Sequence, residues 1–137
     1  MSTGRRKTPG RDASDGALAR LRQALQALAL PAEKQIALLP GFVREADELA
    51  LNFDHWRRAA GADPGARLSR SQRAALDEIE RHLDRMCGHT NAHLWTRAGL
   101  RDSPQWSRVR DAARAALEAF GWDLEVPAGR LYEHIEW

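Results

Sequence analysis

Cys87, His89 and His93 stand within one short stretch, CGHTNAH. A thiolate and two imidazoles are zinc ligands, and a four-residue step between histidines suits one face of a helix. The set is incomplete as a site. A structural zinc takes four ligands, and the chain has no CxxC pair and no second histidine pair to supply them. Gly88 also falls between the candidate ligands as a helix stop. A buried Cys87 beside two surface histidines at a turn is the better reading. A Cys–His nucleophile is no stronger, because the thiol falls at a helix C-terminus, where the dipole disfavours a thiolate. The sequence carries no glycine-rich phosphate loop, no GxSxG and no HExxH. The expectation is a chain without catalysis, metal or cofactor; a metal-dependent enzyme centred on Cys87, His89 and His93 is an alternative.

The stretch READELALNFDHW, Arg44 to Trp56, offers a different chemistry. Its apolar residues mark one helix face. Asp47, Leu51, Asp54 and Arg58 line one flank of the remainder, and Glu45, Glu48, Asn52 and His55 line the other. Leu51 points away from the apolar stripe and stands among carboxylates. An apolar anchor ringed by acids fits a partner surface, and such charge speeds encounter with a basic groove. The candidate partner-binding set is Glu45, Asp47, Glu48, Leu51, Asp54 and His55. The plainer reading is a solvated face in which Asp54 pairs with Arg57 or Arg58 at ~0–1 kcal/mol. Asp77, Glu78, Glu80, Arg81, Asp84 and Arg85 read as a solvated face as well.

Helices must position these residues. Ser14 is an N-cap candidate, and Leu18, Leu21, Leu25 and Leu28 follow at helical spacing. Pro31 breaks that helix and opens a short second one, 31–39. The turn LPGF, Leu39–Phe42, precedes a third helix whose buried stripe is Phe42, Ala46, Leu49, Phe53, Trp56 and Ala60. A loop over Ala59–Leu68 follows. Ser69 and Gln72 form a capping box for a fourth helix carrying Ala75, Ile79, Leu83 and Met86. A short helix about Asn91–Ala98 comes next. Ser103 and Pro104 then open the last, with Trp106, Val109, Ala113, Ala116 and Phe120 inside and Gly121 as its stop. The fold class is all-α, one bundle of about five helices. The final segment, with Leu131, Ile135 and Trp137, packs back over it, and Trp137 pins the end.

The chain has 137 residues, enough for one domain that needs no disulfide or metal to fold. Its single cysteine fits a reducing compartment. The polar N-terminus shows no secretory signal, and no window reaches the ~20 apolar residues of a membrane span. A cytoplasmic protein is expected, with no membrane partner. Net charge is +2, but Arg5, Arg6, Lys7 and Arg11 against Asp12 give the first twelve residues +3. The rest holds 17 basic and 18 acidic residues, net −1. Residues 1–13 read as a disordered basic tail and 14–137 as the helical domain. Basic charge in a tail, not on a folded face, argues against a nucleic-acid module. An accessory protein using that arm is a second alternative, with weak, salt-sensitive binding. Homo-oligomerisation is compatible with all three readings.

Two segments carry a resemblance: LPGFVREADELALNFDHW and LWTRAGLRDSPQWSRVRDAARAALEAFGW, together about a third of the chain. They resemble small, mostly helical bacterial proteins of poorly defined function, some of which look like immunity partners of polymorphic or contact-dependent toxins. The resemblance implies a non-catalytic protein that neutralises a toxin domain by covering its cleft. It casts Asp47, Glu48 and Asp54 as partners of basic toxin residues and Leu51 as the anchor. The near-neutral domain departs from the acidic character of many nuclease inhibitors of this kind.

Overall fold

The computed structural model describes residues 9–39 and 44–127. Among the described residues all regular structure is helical and no strand occurs. The order is α1 (Pro9–Ala29), α2 (Ala32–Leu38), α3 (Glu45–Ala62), α4 (Arg70–Arg85), a 3-10 segment (His89–Trp95), α5 (Arg97–Asp102) and α6 (Pro104–Phe120). These are seven helical segments where about five helices were expected. One extra comes from the region after Gly88, where one short helix was expected and two segments form. Thr96 divides them: its Oγ1 accepts from Gly99 N at 3.0 Å, an N-cap that starts α5 afresh. None of the described helices is long and apolar enough to cross a membrane.

Helices α1 and α6 form the middle of the molecule, with α3 packed on α1 and α4 on α6. The leucine stripe of α1 is sealed, with Leu21, Leu25 and Leu28 inaccessible and Leu18 half-buried. Ala17, Ala24 and Ala27 fill the gaps between them and let the neighbours come close. Trp106, Val109, Ala113 and Ala116 of α6 are all at 0% exposure, as their spacing requires. Ala46, Leu49, Phe53 and Ala60 of α3 are buried, and Trp56 is half-buried.

The caps follow the sequence closely. Ser69 Oγ accepts from Gln72 N, and Gln72 Oε1 accepts from Ser69 N at 2.8 Å, so the capping box is complete. Ser103 caps α6 with Pro104 in its first turn, and Gly121 ends it in the left-handed region at φ 73°. Helix α1 differs: it begins at Pro9, ahead of the Ser14 start expected. Proline suits a first helical turn, which explains the earlier start. Helix α3 runs through Gly61 to Ala62 and so takes the first residues of the expected loop. The LPGF turn beyond Leu39, Phe42, residues 1–8 and residues 128–137 fall outside the described residues. The expectations for Leu131, Ile135 and Trp137 therefore lie there too. What is described of the last segment, 123–127, has no helix or strand, and Trp122 stacks on Phe120 at 4.2 Å.

Two polar devices lock the corners. Pro31 has no N–H, so the Ala27 carbonyl loses its helical donor. Gln35, at 0% exposure, donates instead to Ala27 O and Leu28 O, both at 3.0 Å. Its Oε1 accepts from Arg110 Nη1 at 2.9 Å, and the same nitrogen donates to Leu100 O. One amide and one guanidinium thus join α1, α2, α5 and α6. The second device is a pair of indoles. Trp106 donates to Leu94 O and Trp95 to Met86 O, each at 2.7 Å, and the rings meet edge to face at 5.4 Å. Gly99 completes this corner, because a Cβ there would lie 2.4 Å from His93 O.

Candidate functional site

The third helix carries two stripes at the same three-four spacing, about 200° apart. The inner one is Ala46, Leu49, Phe53, Trp56 and Ala60. The outer one is Arg44, Asp47, Leu51, Asp54 and Arg58. Leu51 is 44% exposed, one of three large apolar side chains so exposed among the described residues. Two shallow depressions meet at it. One, of about 410 Å³, is walled by Asp47, Ala50, Leu51, Cys87, Gly88 and Trp95. The other, of about 520 Å³, is formed by Leu51, Asp54, His55, Arg58 and Ala59.

The expected acidic residues divide into two groups. Asp47 and Asp54 reach the outer face, and His55 is exposed there with its ring edge-on to Trp56 at 4.4 Å. Asp54 accepts from Arg58 Nε at 3.0 Å and Asp47 from Arg44 Nη1 at 3.4 Å. Glu45 and Glu48 do not belong to the surface, which corrects the expectation of an exposed second flank. Glu45 is 6% exposed and pairs with Arg97 at the start of α5. Glu48 is 8% exposed, and its Oε1 has no hydrogen-bond partner among the described residues. Burial, reinforced by the Asp47 charge, raises its pKa above the ordinary glutamate value. Asn52, one turn on, is buried with its Oδ1 equally unpartnered. These positions sit where the helix turns from its wet side to its packed side.

Arg57 also departs from its simple assignment. Half-buried, it does not pair with Asp54 but bridges Asp77 and Glu80, joining α3 to α4. The face of α4 is therefore partly spent on an interhelical network. Arg81 takes Glu78, whose pKa is lowered chiefly by that hydrogen bond.

The sulfur and the imidazoles are not gathered. Cys87 is exposed, not buried, because α4 ends at Arg85 and the thiol leaves on the outer side, donating weakly to Leu83 O at 3.5 Å. His89 and His93 are exposed on the 3-10 segment. Among the described residues no group of three His, Cys, Asp or Glu side chains could hold a metal ion. The basic tail residues Arg5, Arg6 and Lys7 lie outside the described residues.

Sequence reasoning missed the far wall of the groove. Trp95, Cys87 and Gly88 come from the α4 end and the 3-10 segment, over 35 residues from Leu51 in sequence. The available signal was the surplus of indoles, with Trp95 on no apolar stripe of a long helix. Comparison of the chain with known protein families, with characterised proteins and with solved structures returns no match.

Proposed function

We propose that this chain is a non-catalytic protein-binding module, and that the outer face of α3 is where its partner sits. The observation that carries the reading is Leu51. It is exposed between two mainly apolar depressions, on a helix whose opposite face is locked into the core. A rigid apolar anchor with a charged rim is the form of a binding hot spot. The surface offers shape and an apolar contact.

In its specific form the reading is neutralisation by occlusion: the module covers the cleft of a toxin-like domain, as an immunity protein does. Asp47, Leu51 and Asp54 make the contact, with His55 beside them. Glu45 and Glu48 support it from beneath. The test is to isolate the stoichiometric partner from native lysate and measure its affinity for the parent and for a Leu51→Glu, Asp54→Arg variant. A loss of roughly thirtyfold or more is expected, as for a hot-spot residue worth about 2 kcal/mol. An unchanged affinity in a folded variant removes this face from the proposal.

A further inference from the structure

The outer stripe of α3 has a charge order that describes its occupant. From Arg44 through Asp47, Leu51 and Asp54 to Arg58 the steps are three, four, three and four residues. That is the spacing of a seam against which a second helix packs. The charges run plus, minus, apolar, minus, plus, and so read the same in both directions. Two ion pairs within the stripe, Arg44–Asp47 and Asp54–Arg58, hold this order in place.

The symmetry has a consequence for self-association. A second copy laid antiparallel would set Arg44 on Arg58 and Asp47 on Asp54. Laid parallel it would set each residue on itself. Both registers oppose like charges, which costs affinity and disfavours the pairing. The complementary order is minus, plus, apolar, plus, minus.

Resting on the partner-binding reading above, we infer that the occupant of this face is an amphipathic helix of a different chain. Its apolar anchor lies beside Leu51, in the depression backed by Ala50 and Trp95. A Lys or Arg stands one turn to either side, over Asp47 and Asp54. An Asp or Glu stands a further turn out, over Arg44 and Arg58.

Two hydrocarbon-stapled synthetic helices test this on the full chain. One carries Glu, Lys, Leu, Lys and Glu at three-four spacing; the other has the lysines and glutamates exchanged. Fluorescence anisotropy in about 0.05 M salt, where surface charge is weakly screened, reads both affinities. The first helix is expected to bind at least roughly tenfold more tightly, and Leu51→Glu to abolish its binding. Reversing all four charges (Arg44→Glu, Asp47→Lys, Asp54→Lys, Arg58→Glu) is expected to transfer the preference to the exchanged helix. If that variant does not fold, the contrast between the two helices on the parent chain decides alone. Equal affinities overturn the inference, as does a dimer in sedimentation that Leu51→Glu dissociates. Equal affinities alongside a native partner lost on Leu51→Glu, Asp54→Arg retire the helix chemistry and leave the partner face standing.

Discussion

The molecule buries polar groups in two places and treats them differently. At the junction of α1, α2, α5 and α6, Gln35 and Arg110 satisfy each other and three backbone carbonyls. On α3, Glu48 and Asn52 are equally covered, yet each leaves a side-chain oxygen without a partner among the described residues. The first arrangement fastens the fold. The second weakens it, since an unpaired buried acceptor forfeits its hydration and gains nothing. The difference shows that burial alone does not decide whether a polar group stabilises; its partners do. The complete network joins α1, α2, α5 and α6, while the incomplete one lies on α3, the helix that carries the exposed leucine. If the proposed partner face is correct, a helix whose Glu48 and Asn52 oxygens lack partners among the described residues trades stability for surface chemistry.

The largest effect should come from breaking the complete network. Arg110→Met leaves the Gln35 and Leu100 oxygens buried and unpaired, and urea unfolding should show a loss of about 3 kcal/mol. Adding Gln35→Leu strips the donor from the Ala27 and Leu28 carbonyls as well, yet the double variant should lose less than the sum of the two single variants, because both singles break the same Gln35–Arg110 hydrogen bond. Strict additivity would mean that the network is no more than two separate contacts.

A smaller effect of opposite sign is expected at the incomplete site. The folded Glu48 carboxyl keeps its proton to higher pH than the unfolded one does. Folding is therefore unpenalised in acid. Stability falls as pH rises from the ordinary value of 4.5 through the folded value, and the penalty is complete above it. Glu48→Gln should stabilise the chain by about 1 kcal/mol at neutral pH, and the gain should vanish below about pH 4. A destabilised variant, or a gain independent of pH, would erase the contrast between the two sites. The smallest effect belongs to the surface: Leu51→Glu should change stability by no more than about 0.5 kcal/mol, read by thermal melting, whatever it does to binding.

How much of this was legible follows from where the information lies. The inner stripes of α1, α3, α4 and α6 are written in residue type and spacing, and the Ser69 and Ser103 caps in short local patterns. The exposure of Leu51 was legible because it falls opposite the inner stripe. Glu45 and Glu48 were not legible as buried, because a carboxylate signals water unless a distant group claims it. The group that claims Glu45 is Arg97, fifty-two residues on. Arg57 hid its role in the same way, with acceptors on α4. The division at Thr96 was missed for a different reason. A seven-residue 3-10 segment carries no periodicity of its own, and only the cap marks its end.

The indole of Trp95 gives the groove an optical property. Its ring lines the depression beside Leu51, its N–H is tied to Met86 O, and its inner edge meets Trp106. It is a fluorophore clamped at the mouth of the candidate site, half-buried, with one side open to whatever settles there. An occupant that displaces water from that side must shift the emission of Trp95 toward the blue, while Trp106 behind it, sealed from solvent, stays where it is. With Trp56, Trp122 and Trp137 replaced by Phe to remove their overlapping emission, the chain carries its own occupancy reporter, and binding at this face can be followed without attaching a label.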